Sequence, residues 1–341
     1  MNRFIQQSLL IFFIPIFCAL RVGRGSVLPS GGTEINRHVL AFYYSWYGNP
    51  HVSREWVHWA DVSQDAIGNS TDYPVLGAYD SHDPKVIEQQ CKWAKQSGIT
   101  GLIASWWGEG DFTDQALPLL LTVAGREGLK VTVYIERARA RQPSAEAAEV
   151  LYLLHHYGSN PAWLRLEDKP VLFVYGRAID EIGLNGWRAV RSEVEQVYPG
   201  GVSFIADQIS DRAARVFDGL HEYNYADKLA GKSLDEIRAE VRKDFSWSLA
   251  KEKNLPLRCL TVLPGYDDHK QKERLHRITV ERRSGETYQI LWQEAIRAKP
   301  DWVLIASWNE WHEGSEIEPS REYGERFLQI TAEFSKRFLA R

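Results

Sequence analysis

The chain has 341 residues, of which 44% are hydrophobic and 25% are charged, and this composition excludes both disorder and a collagen-like repeat. Its 41 Lys and Arg residues nearly balance 45 Asp and Glu residues, so we expect no nucleic-acid partner, because binding to a phosphate backbone needs a basic face. The unusual feature is aromatic: 13 Trp, 15 Tyr and 13 Phe stand against a single Met. Several of the Trp residues lie beside Gly, His, Asn or Glu, outside the aliphatic runs of a core.

Residues 1–25 are typical of a secretory signal. Arg3 supplies a basic start, and the apolar stretch 9–20 is shorter than the roughly 20 residues of a membrane-spanning helix. No small-residue cleavage site is evident, so the cleavage position stays open, and a signal anchor or a misassigned start are the alternatives. We therefore predict a secreted or periplasmic protein with no stable membrane span, with signal anchoring as the other possibility.

Two cysteines follow this segment, Cys91 and Cys259, and neither belongs to a C-x-x-C pair. Two cysteines in so long a chain do not make a disulfide framework, so we predict two buried, unreactive thiols. A single bridge between them in an oxidising compartment is the alternative that the sequence leaves open.

Eight short apolar runs recur along the rest of the chain. Most are nearly continuous, which is typical of strands buried on both faces of a parallel sheet. The runs are 39–44, 99–106, 129–135, 170–175, 202–206, 217–223, 258–264 and 302–308.

Helical patterns lie between these runs, at 84–97, 113–127, 145–157, 187–198, 235–253 and 286–298. We expect Asp83 and Thr113 to be the N-caps of the first two helices, and Gly98 and Gly128 to follow their last turns. Alternating strands and helices predict the fold class α/β, as a single (β/α)8 TIM barrel with extended βα loops over residues 38–338. A doubly wound open sheet is less consistent, because the turn after the first run, YSWYGNP, lacks a glycine-rich phosphate signature.

Aromatic residues and carboxylates follow several predicted strand ends. The first, second, sixth and eighth runs end in the segments YYSWY, SWW, EYNY and SWNEWHE, which continue beyond the runs. In a TIM barrel the C-terminal strand ends build the active site, and a sugar ring stacks on aromatic rings while its hydroxyls bond to polar groups. Core or rim packing is the better interpretation of any single Trp or Tyr, but their repeated position at strand ends predicts a carbohydrate site.

Glu310 and Glu313 lie just beyond the eighth run. Glycoside hydrolysis commonly uses two carboxyls, one protonated and one ionised, and the apolar neighbours Trp308 and Trp311 are expected to raise one of the two pKa values. The alternative is a solvated acidic turn, which accounts for most E-x-x-E matches. The position at a strand end favours the catalytic interpretation.

No metal or cofactor is predicted. His312 and Glu313 do not begin an H-E-x-x-H motif, the other histidines lack ligand spacing, and no G-x-S-x-G nucleophile elbow occurs.

Six segments together resemble glycoside hydrolase family 99, the family that contains the endo-α-1,2-mannosidases. They are HVLAFYYSWYGNP, YPVLGAYDSHDPKVIE, SWWG, LKVTVYIE, PGYDD and SWNEWHEGSEIE, and they occur in order between about residues 38 and 333. The resemblance implies a (β/α)8 barrel that needs no metal and cleaves with retention of configuration. The implied activity is that of an endo-acting glycosidase on an α-linked mannoside-type oligosaccharide or polysaccharide.

The resemblance also implies roles for individual residues. Glu310 would act as the base on the 2-hydroxyl of the sugar, which attacks C1 to give a 1,2-anhydro sugar, and Glu313 would act as the general acid and base. The remaining predicted substrate-binding residues are Tyr44, Trp46, His58, Trp106, Glu136, Tyr223, Tyr225, Tyr266 and His312.

The chain departs from the family pattern in several walls of the expected site. The usual I-E-P-Y is Ile135–Ala138 (IERA), the fourth run continues as YGRA and loses a tyrosine, a P-W-N segment is absent, and threonine-glutamine is replaced by Ser315 and Glu316. We therefore expect intact chemistry and altered recognition of flanking sugars. A relative with another glycan specificity or a glycosyltransferase-associated role, and a non-catalytic glycan-binding barrel, are the alternatives.

Overall fold

Eight parallel strands form a nearly closed barrel in the computed structural model, which describes residues 36–341. We number them β1 to β8, and each coincides with one of the eight predicted runs to within one residue or lies inside it. They are β1 (His38–Tyr43), β2 (Gly101–Trp106), β3 (Lys130–Ile135), β4 (Lys169–Val174), β5 (Ser203–Asp207), β6 (Gly219–His221), β7 (Cys259–Val262) and β8 (Trp302–Ile305). The predicted (β/α)8 barrel is thereby confirmed, and the signal segment 1–25 lies outside the described residues.

The strand order shows how the barrel closes. Neighbouring strands pair in the order β6-β5-β4-β3-β2-β1-β8-β7, with every one of these ladders parallel. At the seam between β6 and β7, the amide of Leu257 donates to the carbonyl of Asp218 at 3.2 Å. Burial on both faces explains the continuous apolar runs, since all six residues of β2 are buried.

Helices cover the outside of the barrel. Their bounds are α1 (Pro84–Gln96), α2 (Phe112–Glu127), α3 (Pro143–His156), α4 (Gly176–Val197), α5 (Ala226–Leu229), α6 (Leu234–Glu252), α7 (Glu286–Ala298) and α8 (Arg326–Leu339). Between β5 and β6 the chain forms only a short 3-10 turn, Ala213–Arg215. The longest connections follow β1, β7 and β8, and these extended loops lie at the C-terminal ends of the strands.

The predicted helix ends are mostly confirmed. The side chain of Asp83 accepts from the amide of Lys85 at 2.9 Å, and Gly98 and Gly128 have the positive φ angles of 75° and 81° that favour glycine after a helix. The predicted N-cap Thr113 is wrong. Asp111 caps α2 instead, because its carboxylate accepts from the amide of Thr113 at 2.9 Å, which leaves Thr113 inside the first turn.

The predicted helix 187–198 is the second part of α4, which begins at Gly176. Gly183 has a positive φ of 68°, which interrupts the helix. The apolar periodicity of the sequence therefore predicts only the part of α4 that follows this residue. Within residues 36–341, no helix is long and apolar enough to cross a membrane.

Both cysteines are buried and unpaired, so the predicted thiols are confirmed and the disulfide alternative is not. Cys91 lies in α1 and Cys259 in β7. Burial raises the pKa of the Cys91 thiol to about 12 and that of Cys259 well above its usual range, so neither forms a reactive thiolate near neutral pH.

A ring of aromatic side chains fills the barrel interior next to the strand ends. Phe42 of β1 lies 4.8 Å from Tyr134 of β3, 5.5 Å from His221 of β6 and 4.9 Å from Tyr223, measured between ring centroids. His221 is fully buried, and burial lowers its pKa to about 3, so its ring is neutral and packs as an aromatic group. These contacts form a packed aromatic layer that supports the residues beyond the strand ends.

Candidate active site

The C-terminal strand ends surround an open cleft that encloses about 640 Å³ of empty space. Aromatic rings, carboxylates and two arginines form its walls, as a sugar site requires. The lining residues are Tyr44, Trp46, Trp107, Tyr134, Glu136, Tyr175, Arg177, Tyr223, Gln271, Arg274, Glu310, His312 and Glu313. Both predicted catalytic glutamates therefore face one cleft.

The turn after β8 presents the two glutamates. The amide of Glu310 donates to the hydroxyl of Ser307 at 2.7 Å, and the amide of Glu313 donates to the carbonyl of Glu310 at 3.2 Å. Asn309 ties this turn to the end of β1, since its side chain accepts from the amide of Tyr44 at 2.7 Å and donates to the carbonyl of Tyr44 at 2.9 Å. The local hydrogen bonds thus hold both carboxyls on a rigid support.

Glu310 is the more buried of the two glutamates, with 4% of its surface exposed. Burial, reinforced by the negative charge of Glu313, raises the pKa of Glu310 well above its usual range. The ring of His312 lies 3.5 Å from the carboxyl but supplies no charge, because burial lowers the pKa of His312 to about 4. Burial therefore favours the protonated form of Glu310 in the free protein.

Glu313 has a different environment. Its side chain is 14% exposed and accepts from Nη2 of Arg274 at 2.6 Å and from the hydroxyl of Tyr266 at 3.1 Å. Arg274 also donates to Asp268 at 2.8 Å and to Tyr266, so its guanidinium is held on three sides. The pair is asymmetric, since Glu310 is buried with a raised pKa and Glu313 is ion-paired, which is the pattern expected for carboxyls with different catalytic roles.

Glu136 adds a third carboxyl at the end of β3. It accepts from the hydroxyl of Ser105 at 2.7 Å and lies 3.5 Å from Nη2 of Arg177. Burial raises the pKa of Glu136 to about 7, although the Ser105 hydrogen bond and the Arg177 charge oppose the shift. Its charge near neutral pH is therefore partial, and a bound hydroxyl can either donate to it or accept from it.

Aromatic groups close the opposite walls. The hydroxyl of Tyr44 donates to that of Tyr223 at 2.7 Å, which locks two of the predicted substrate-binding residues against each other. The ring of Trp46 stacks on His58 at 4.5 Å with an angle of 5° between the planes, and His312 lies 6.0 Å from the same ring. The structure thus brings these predicted residues together around the cleft.

Four predicted substrate-binding residues lie outside the group that lines the cleft: His58, Trp106, Tyr225 and Tyr266. His58 stacks on Trp46 and Tyr266 donates to Glu313, so these two still contact residues of the cleft. Trp106 is buried, and its indole donates to Asp114 at 3.0 Å, while Trp107, the next residue, lines the cleft instead. Tyr225 donates to the carbonyl of Thr261 at 2.7 Å and is likewise buried. Successive strand residues point to opposite faces, so a shift of one residue decides which tryptophan reaches the site.

Sequence reasoning missed several residues of the cleft. Trp107 lies in the SWWG segment and Tyr175 directly follows β4, so the position of each at a strand end could have predicted that it lines the site. Arg177 was noted only as a departure from the family pattern. Gln271 and Arg274 come from the loop between β7 and α7, which shows no motif.

Within residues 36–341, no group of three or more His, Cys, Asp or Glu is arranged to hold a metal ion.

Comparison with known proteins decides the family. The sequence model of glycosyl hydrolase family 99 matches residues 34–324, which is most of the chain. The chain belongs to glycosyl hydrolase family 99. This family 99 protein is thus a glycoside hydrolase, and the turn with Glu310 and Glu313 falls inside the matched region.

Curated and solved relatives agree with this assignment. A glycoprotein endo-alpha-1,2-mannosidase of Mus musculus is 29% identical over 88% of this chain and 73% of its own length. The corresponding protein of Xenopus laevis is 28% identical over 83% of this chain and 70% of its own. The structure of a family 99 endo-alpha-mannosidase from Bacteroides thetaiotaomicron is 28% identical, with a TM-score of 0.73, and covers 88% of this chain and 97% of that one.

Proposed function

We propose that this family 99 protein is a retaining, endo-acting glycosidase that cleaves an α-linked mannoside-type glycan. One observation carries the proposal: Glu310 and Glu313 come from a single turn and both line an aromatic-walled cleft. The names of the relatives in mouse, frog and Bacteroides support the substrate class, and the unequal environments of the two glutamates support separate roles.

In the first proposed step, the carboxylate of Glu310 removes the proton from the 2-hydroxyl of the sugar. O2 then attacks C1, the bond from C1 to the glycosidic oxygen breaks, and Glu313 donates a proton to that leaving oxygen. An α-mannoside suits this step, because its axial O2 and axial glycosidic oxygen lie on opposite faces of the ring. Backside attack therefore needs no covalent bond to the protein.

In the second step, the carboxylate of Glu313 removes a proton from water, and the water oxygen attacks C1 of the 1,2-anhydro sugar. The bond from C1 to O2 breaks, and O2 recovers its proton from Glu310. Two successive inversions at C1 give overall retention. Both glutamates return to their starting protonation states, so the protons balance over the cycle.

Burial favours a proton on Glu310 in the free protein, whereas the first step requires Glu310 as the carboxylate and a proton on Glu313. The proposed mechanism therefore needs the substrate to move the proton. A 2-hydroxyl that donates to Glu310 favours its carboxylate form, and a glycosidic oxygen at Glu313 favours the protonated form there. Arg274 must then release Glu313, which its partly exposed position on a loop permits.

The test is digestion of α-linked mannan by the wild-type protein and by the variants Glu310→Gln and Glu313→Gln. We expect oligosaccharide products whose newly formed reducing ends appear first as the α-anomer by NMR, and loss of these products in both variants. Glu193→Gln, on the exposed face of α4, is the matched control and should keep full activity. Products that persist in both variants, or a β-anomer formed first, would contradict the proposal.

A further inference from the structure

Four arginines lie beyond the ends of β3 and β4, and we call them the arginine rim: Arg137, Arg139, Arg141 and Arg177. Three of them form the sequence Arg-Ala-Arg-Ala-Arg directly after Glu136. All four are exposed or partly exposed. Their number and spacing serve no purpose in the mechanism proposed above, which uses Glu310 and Glu313.

Arg177 is the member of the rim that lines the cleft. Its guanidinium lies 4.7 Å from the ring centroid of Trp107, and its Nε donates to the carbonyl of Glu136 at 3.0 Å. The side chain is nevertheless 44% exposed, and its ion pair with Glu136 is long, at 3.5 Å. Stacking thus fixes the plane of the guanidinium and leaves one of its edges available to a ligand.

Arg139 lies close to Gly108, the residue after Trp107. Nη1 of Arg139 lies 3.3 Å from the position that a Cβ on Gly108 would occupy, and Gly108 directly follows Trp107. This arginine pairs with Glu149 at 3.0 Å, yet its side chain is 48% exposed. Two guanidinium groups therefore lie close to the Trp107–Gly108 segment.

Acidic groups only partly compensate the charge of the rim. Arg139 has Glu149, Arg141 has Glu181 at 3.7 Å, and Arg177 has Glu136, whose charge is partial near neutral pH because its pKa is about 7. A neutral sugar stacks well on an open tryptophan face, but here a guanidinium occupies the space over Trp107. The cleft wall formed by Trp107 and Arg177 is therefore complementary to a negatively charged group.

We propose that the cleft beside Trp107 binds a sugar that carries an oxyanion: a phosphate, a sulfate or a carboxylate. The planar fork of a guanidinium matches two oxygens of such a group, and charge-assisted hydrogen bonds are stronger than those to neutral hydroxyls. This inference rests on the proposed function, since it names the substituent on the α-linked mannoside that the same cleft would take.

The experiment uses matched manno-oligosaccharides: a neutral one, and three that bear a 6-phosphate, a 6-sulfate or a 6-carboxylate on the sugar beside the cleaved unit. We expect kcat/KM to be about 10- to 100-fold higher for at least one charged substrate at low ionic strength. Added salt should reduce this preference. The ratio of charged to neutral activity should collapse in Arg177→Gln, fall in Arg139→Gln and recover partly in Arg177→Lys.

Arg126→Gln is the matched control, because Arg126 is exposed in the last turn of α2, at the other end of the barrel, and should leave the ratio unchanged. Equal activity on neutral and charged substrates, or a preference that survives in Arg177→Gln, would overturn the inference while the proposed function stands. Should no substrate be cleaved, calorimetry with Glu310→Gln decides: selective binding of a charged oligosaccharide supports the oxyanion site, and unselective binding or none refutes it.

Discussion

Replacing Glu313 with Gln is expected to abolish cleavage of glycans with sugar leaving groups and to spare the release of an activated leaving group such as fluoride. Fluoride departs without a proton donor, so loss of the general acid costs little in the first step, whereas a sugar leaving group loses about 10²- to 10⁴-fold in rate. Glu310→Gln should fail with both kinds of substrate, because the 2-hydroxyl then lacks its base. The measurement is the initial release of fluoride and of sugar from matched α-mannosyl substrates.

The initial rate matters here because Glu313 also serves as the base in the second step. In Glu313→Gln, a first equivalent of fluoride should be released and turnover should then slow. The opposite pattern, with Glu310→Gln sparing fluoride release, would exchange the two roles. That result would make the buried Glu310 the acid and the ion-paired Glu313 the base.

Replacing Arg282 with Met is expected to lower the free energy of unfolding by roughly 3–5 kcal/mol, because it leaves buried carboxyls without their cation. The Arg282 guanidinium donates to the carbonyls of Gly314 and Glu316 at 3.0 and 2.8 Å and pairs with the Glu316 carboxylate at 2.5 Å. Asp72 lies 3.7 Å away. Since Gly314 directly follows Glu313, we also expect kcat to fall with the loss of this support. Urea unfolding and steady-state kinetics measure the two effects.

The double variant with Glu316→Gln provides the control. Glutamine removes the stranded carboxyl, so the double variant should lose less stability than the sum of the two single variants. Burial raises the pKa of both Asp72 and Glu316. As the pH falls through these raised folded-state pKa values, both carboxyls take up protons and lose their charge, so the cost of Arg282→Met should shrink from its value at higher pH. A pH-independent, strictly additive loss would show that Arg282 contributes by packing alone.

The barrel itself could be predicted from the sequence because its strands are buried on both faces and are therefore continuously apolar. The end of each apolar run also marked the end of a strand. The position of Glu310 and Glu313 just after β8 could therefore be predicted. Finer placement could not be obtained in this way. Whether Trp106 or Trp107 reaches the cleft depends on a single residue of register, which composition does not encode.

Contacts between residues that are distant in the chain could not be predicted from the sequence either. Arg274 contacts Glu313 across 39 residues of sequence. Arg282, in the same loop between β7 and α7, pairs with Asp72 in the loop after β1. Neither pairing leaves a periodic signal, because loops that meet above the barrel are brought together by the fold as a whole. The arginines after Glu136 were visible as a departure, yet the closeness of Arg177 to Trp107 and of Arg139 to Gly108 needed the structure.

The participation of the sugar's own 2-hydroxyl is tested most directly with a matched pair of α-mannosyl fluorides, one with the 2-hydroxyl and one with hydrogen in its place. A 2-deoxy glycoside is intrinsically the more labile of the two, because it lacks an electron-withdrawing oxygen at C2. We predict that the wild-type protein releases fluoride from the hydroxylated substrate and leaves the deoxy substrate intact. Enzymatic release from the deoxy substrate, dependent on Glu310, would show direct displacement and contradict the proposed mechanism.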